Sequence, residues 1–235
     1  MRAGLPWPSV RLVVVEPVLR TFTYALLGLG AATLAATLGY DPLTTHSALG
    51  LSGSFALGTS LVMGALLAGA TIVTSRVAVR TQPWARALHA DLRPAVESAS
   101  GARILAIAIA SGIAEELVFR GLLVPVVGVV LSSVAFGLLH QVRGRARWAW
   151  AAWATITGLL LAGIFVLTGS IAGPIAAHVA INFVNLRHLR DTDLGGAASP
   201  TPRARLGGIL VSDRSGTLRP TASARAHGSP RVRRA

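Results

Sequence analysis

The stretch 104-ILAIAIASGIAEELVFRGLLVPVVGVVLSSVAFGLL-139 decides the fold. It is 36 residues long and carries three charges, Glu115, Glu116 and Arg120. As one helix it would extend about 54 Å, far beyond the roughly 30 Å of a bilayer's hydrocarbon core. It therefore has to fold back as a hairpin, and Pro125 and Gly128, the breakers near its middle, place the turn at Val127 to Val129. Trp148 to Leu186 is also too long for one span and breaks at Thr168-Gly169-Ser170, with Trp148, Trp150 and Trp153 as an interfacial belt at its start.

Two further spans lie upstream. Thr21 to Tyr40 and Leu51 to Ser75 contain no charged residue. A cleaved signal peptide is the rival reading of the first, but its flank of 20 residues is too long for an n-region. Arg76 to Arg103 carries five Arg and reads as a loop with some interfacial helix. The expected fold is an all-α, polytopic transmembrane bundle of about six membrane-crossing arms. Arg2, Arg11, Arg20, the loop 76–103, Arg143 to Arg147 and Arg187 onward all fall on one side of it. The positive-inside rule then makes that side, with both termini, cytoplasmic, in an inner or plasma membrane.

The chain divides into a juxtamembrane segment 1–20, N-terminal spans and loop 21–101, a core 102–190 and a basic tail 191–235. The tail is rich in Arg, Gly, Ser, Thr and Pro, so it is expected to be disordered and to contribute nothing to the bundle. Of the 235 residues 52% are hydrophobic and 13% charged, which argues against a water-soluble domain. The net charge of +13 comes from Arg beside apolar runs and in the tail, so its partners are anionic lipid headgroups of the bilayer rather than nucleic acid. The absence of Cys excludes disulfides and thiolate metal sites.

Ionisable groups inside spans are costly and face the bundle interior or a wet cavity. Glu116 and Arg120, four apart with the acid N-terminal, suit an ion pair. Glu115 is turned about 100° from Glu116, cannot share Arg120 equally, and is left as the candidate general base. Phe136 and His140 share a face of the return arm, and His178 and Asn182 share one on the last span. His46, His89, His188 and His227 read as loop or tail residues without chemistry.

"EELVFRG", "FGLLH" and "HVAIN" occur in this order on three consecutive arms. The combination resembles the CPBP family of CAAX proteases and bacteriocin-processing enzymes, also called Abi, whose bacterial members look like the type II CAAX prenyl endopeptidase. "TGSIAGPIAAH" before the last motif adds to the resemblance, which covers roughly Ala102 to Leu189. It implies an intramembrane endopeptidase acting on a membrane-associated or lipid-modified protein or peptide. Glu115 and His140 would activate water, His178 and Asn182 would stabilise the oxyanion, and Glu116, Arg120 and Phe136 would support them. Relatives are often labelled metalloproteases, so a divalent ion such as zinc on Glu115, His140 and His178 stays open beside a metal-free glutamate mechanism. H-E-x-x-H is absent, which excludes a zincin-type site. Only 15 residues separate Arg120 from Phe136, a shorter connector than relatives usually have.

Two rivals remain. Gly50-Leu51-Ser52-Gly53 with His178 resembles the serine arrangement of rhomboids. Alternatively Glu115, His140 and His178 form a non-enzymatic polar relay, or the protein is a scaffold.

Overall fold

The computed structural model describes residues 10–140, 142, 144, 146–194, 205–206 and 209–210. Residues 10–194 form an all-α bundle. Its helices are α1 Val10–Thr37, α2 Gly53–Thr81, α3 Pro83–Leu92, α4 Gly101–Glu116, α5 Val124–Leu139, α6 Arg147–Thr168 and α7 Ala172–Asp191. A π-helical segment, Leu117–Leu123, joins α4 to α5. Among the described residues four stretches are long and apolar enough to cross a membrane: Leu19–Thr37, Gly53–Thr81, Gly101–Leu139 and Arg147–Thr168. The third folds into two arms, and α7 packs beside them as a sixth long arm of the bundle. Large side chains such as Phe22, Phe55, Leu66 and Val130 point outward, as lipid contact requires.

The hairpin turns at Gly128, whose φ of 84° and ψ of 169° belong to a region essentially reserved for glycine. From there the chain returns along itself. Ser132 Oγ donates to the Phe119 carbonyl at 2.6 Å, and the Phe119 and Phe136 rings meet edge-on at 4.9 Å. The π segment just before the turn differs from the plain α-helix expected. Pro125 follows it, a residue with no N–H to donate and a ring that crowds the carbonyl four back. The turn widens accordingly, and the Val124 N–H reaches the Phe119 carbonyl five residues back.

The second break also falls where the sequence places it. Gly169 caps α6 in the left-handed conformation, and the connector after α1 pairs with this turn through Thr45 N–H to Gly169 O and Ile171 N–H to Leu43 O, both 3.1 Å. Span limits shift at the ends. α1 stops at Thr37 rather than Tyr40, and α2 runs six residues past Ser75, so Arg76 and Arg80 are helical rather than in a loop. α2 ends only at Gln82, which is extended because the residue before Pro83 avoids helical angles. α3 then turns Ala85, Leu88 and His89 inward.

α7 packs chiefly on α2 and α4, α5 on α6, and α1 covers α4 and the π segment. At Gly112 α4 approaches α7 so closely that a Cβ there would lie 2.7 Å from Val179 Cγ2. This contact brings the Glu115 face of α4 against the His178 face of α7. Apolar clusters around Leu161 with Ala177 and Ile181, and around Phe165 with Val124 and Ile171, hold the remaining faces together. The expectation of a disordered tail concerns residues that are mostly outside the described ones, where Arg205–Leu206 pairs antiparallel with Ile209–Leu210. One part of that expectation is corrected: α7 continues to Asp191, Thr192 O accepts from His89 Nε2 at 2.9 Å, and Asp193 reaches Arg93 at 3.5 Å. The chain up to Asp193 thus belongs to the bundle.

Candidate active site

Glu116 lies at the end of α4, fully buried. Its Oε1 accepts from Arg120 Nη1 at 2.9 Å and from His178 Nδ1 at 2.7 Å. Arg120, also buried, spends its other arm on the Gly158 carbonyl of α6 at 2.9 Å and lays its guanidinium 4.8 Å from the centre of the Phe136 ring. A buried ion pair is costly unless its remaining groups are bonded. Here the carbonyl, the imidazole and the ring supply part of those contacts and tie α4, α6 and α7 to one point, while Glu116 Oε2 and Arg120 Nε have no partner among the described residues.

Glu115 faces another way. Its Oε2 stands 3.5 Å from His140 Nε2 and 3.7 Å from His178 Nε2, and among the described residues neither of its oxygens has a hydrogen-bond partner. His140 closes the C-terminus of α5, where its Nδ1 lies 2.8 Å from the Phe136 carbonyl. A carbonyl only accepts, so Nδ1 carries the proton and Nε2 is the atom presented to Glu115. The same reasoning applies to His178, whose Nδ1 donates to the Glu116 carboxylate. Phe136 stacks beside both imidazoles, 4.2 Å from His140 and 5.7 Å from His178 between ring centres. Asn182, one turn beyond His178, donates to Ser111 Oγ of α4 at 3.1 Å.

Six of the residues singled out from sequence, Glu115, Glu116, Arg120, Phe136, His140 and His178, are linked by contacts, and Asn182 lines the same cavity. The short connector does not keep the two arms apart. Ser52, by contrast, is exposed at the start of α2, while both nitrogens of His178 face glutamates, so no serine dyad forms. Sequence reasoning missed Ser111, although it lies one turn before Glu115 on the same face. It also missed the Gly158 carbonyl, for which a side-chain pattern carries no signal, and the buried Tyr24 of α1.

A cavity of about 210 Å³ opens on this cluster and runs from Tyr24, Glu115 and His140 to Arg76 and His188. Two expectations are corrected here. His89 and His188 are not in loops but on α3 and α7, and both line the cavity. Trp150 and Trp153 line it too, leaving Trp148 as the exposed member of the supposed belt. Among the described residues no group of three or more His, Cys, Asp or Glu side chains is found arranged to hold a metal ion.

Residues 98–184 match the family described as type II CAAX prenyl endopeptidase Rce1-like. Over those residues the core of this chain is similar to the CAAX proteases. Every site residue from Ser111 to Asn182 lies within the matched CAAX protease segment, whereas Arg76, His188 and the α3 wall of the cavity lie outside it. No curated protein and no solved structure is similar enough to the chain to count as a match.

Proposed function

We propose that this protein is an intramembrane CAAX-type endopeptidase that cleaves a peptide bond of a membrane-associated or lipid-modified protein by glutamate-driven water attack. The observation that carries this reading is the Glu115 carboxylate, unbonded in a buried cavity, with two imidazole Nε2 atoms within 3.7 Å of one of its oxygens. A general base must keep an oxygen free for water, and both oxygens of Glu115 are without a partner among the described residues.

In this mechanism a water held between Glu115 Oε2 and His140 Nε2 donates one proton to the carboxylate as its oxygen attacks the scissile carbonyl carbon. The other hydrogen points at the His140 lone pair. The carbonyl π pair moves onto oxygen, and that oxyanion accepts from His178 Nε2 and from the free N–H of Asn182. His178 donates from both nitrogens only as the imidazolium, and in that form the cluster balances two carboxylates, Glu115 and Glu116, with two cations, Arg120 and His178. Collapse of the tetrahedral adduct breaks the C–N bond, and the proton on Glu115 passes to the leaving amine. Glu115→Gln keeps shape and removes the base. Cleavage of a farnesylated CAAX-type peptide, normalised to membrane-inserted protein, is expected to collapse in this variant; wild-type turnover would overturn the assignment.

A further inference from the structure

At the far end of the cavity from Glu115 lies a cation that the reaction does not use. Arg76, near the end of α2, is half-buried and lines the cavity. Its Nη1 donates to Asn185 Oδ1 at 3.0 Å and its Nη2 to the Val184 carbonyl at 3.1 Å. Both acceptors are neutral, and among the described residues no carboxylate pairs with Arg76. Ser75 Oγ contacts the same Asn185 Oδ1 at 3.2 Å, so the amide oxygen is fully engaged and the amide N–H groups are left over. His188 on α7 lines the same end of the cavity, and its charged neighbours include Arg76 and Arg80. Two of the five guanidinium N–H bonds are spent on positioning, and the others remain for an anion.

The spacing gives that anion a place in the reaction. His178 and Asn185 are seven residues apart on α7, two turns along one face and about 10.5 Å along the axis. An extended peptide covers about 3.3 to 3.6 Å per residue, so about three residues separate a carbonyl at His178 from a group at Arg76. We propose that Arg76, oriented by Asn185 and Val184, receives the C-terminal carboxylate of the peptide and thereby sets how many residues lie beyond the scissile bond. This rests on the proteolytic reading above and adds a specificity-determining residue to it.

The test measures binding apart from hydrolysis. The Glu115→Gln protein, in nanodiscs of zwitterionic lipid, is titrated with a labelled farnesylated CAAX-type decapeptide as the free acid and as the C-terminal carboxamide. The acid is expected to bind about 10- to 100-fold more tightly, the range for a hydrogen bond to a charged group. Arg76→Gln brings that ratio close to one, and Arg76→Lys, which keeps charge without the fork, leaves an intermediate ratio. Equal affinity for acid and amide overturns the proposal without any Arg76 variant, as does a preference that survives Arg76→Gln. Equal affinity for the two peptides, together with an Arg76-dependent affinity for anionic phosphatidylglycerol nanodiscs, would assign the guanidinium to lipid phosphate instead. An Arg76-dependent acid preference supports the anchor even if the Glu115 protein cleaves neither peptide; that result would remove the protease reading alone.

Discussion

Glu115 and Glu116 are neighbours in sequence with separate work. Glu116 is bonded to Arg120 and His178, so Glu116→Gln leaves a cation unpaired inside the bundle, a loss of about 3 to 5 kcal/mol. Membrane accumulation of Glu116→Gln is therefore expected to fall, whereas Glu115→Gln accumulates normally and loses turnover; immunoblots of membrane fractions beside cleavage rates separate the two. His178 touches both glutamates, so His178→Ala is expected to lower both rate and yield. Asn182→Ala lowers rate alone, by about 10² to 10³ if its amide holds the oxyanion. Ser111 accepts from Asn182, so under the proposed mechanism it acts through Asn182 as a positioning residue. Ser111→Ala is expected to reduce kcat with little change in KM, and Ser111→Thr, which keeps the hydroxyl, to restore much of it; an equal loss in both variants would point to packing instead.

At the scale of elements, the hairpin depends on one residue. No atom lies within 4 Å of where a Gly128 Cβ would stand, so the obstacle to a side chain there is the backbone angle and not space. Gly128→Ala is expected to cost about 1 to 3 kcal/mol, read as a lower midpoint in thermal unfolding of the detergent-solubilised protein. The same change at Gly30, which is also open but lies inside α1, is expected to leave the midpoint unchanged or raise it. A rise in both would mean that the turn at Gly128 is not needed.

For the whole molecule, contacts with the bundle extend as far as Asp193. Deleting 195–235 is expected to leave insertion and cleavage near wild type. A deletion that begins at Asp191 also removes the Thr192 and Asp193 contacts to α3 and to Arg93, and is expected to lower yield. The Arg distribution predicts an orientation with both termini cytoplasmic, and the absence of Cys makes it directly measurable. A single Cys at Ser98 is expected to react with impermeant maleimide only from the cytoplasmic side, and one at Thr44 only from the opposite side. The reverse labelling would turn the bundle over.

The sequence by itself determined the bundle, the hairpin at Gly128 and the break at Gly169, because span length against bilayer thickness and the positions of breakers are local quantities. It also marked pairs that share a face, since i, i+4 spacing is local, and the family resemblance joined the pairs on three arms into one expected site. Tertiary structure decided what those faces touch. His178 bonds to Glu116 as well as standing near Glu115, Ser111 orients Asn182, and Gly158 contributes a carbonyl, because these pairings depend on how α4, α6 and α7 are rotated against one another. The cavity's second end was hidden for the same reason. Arg76 reads as the start of a loop until α2 is seen to continue to Thr81, and only the packing of α2 on α7 sets its guanidinium beside Asn185, two turns from the site.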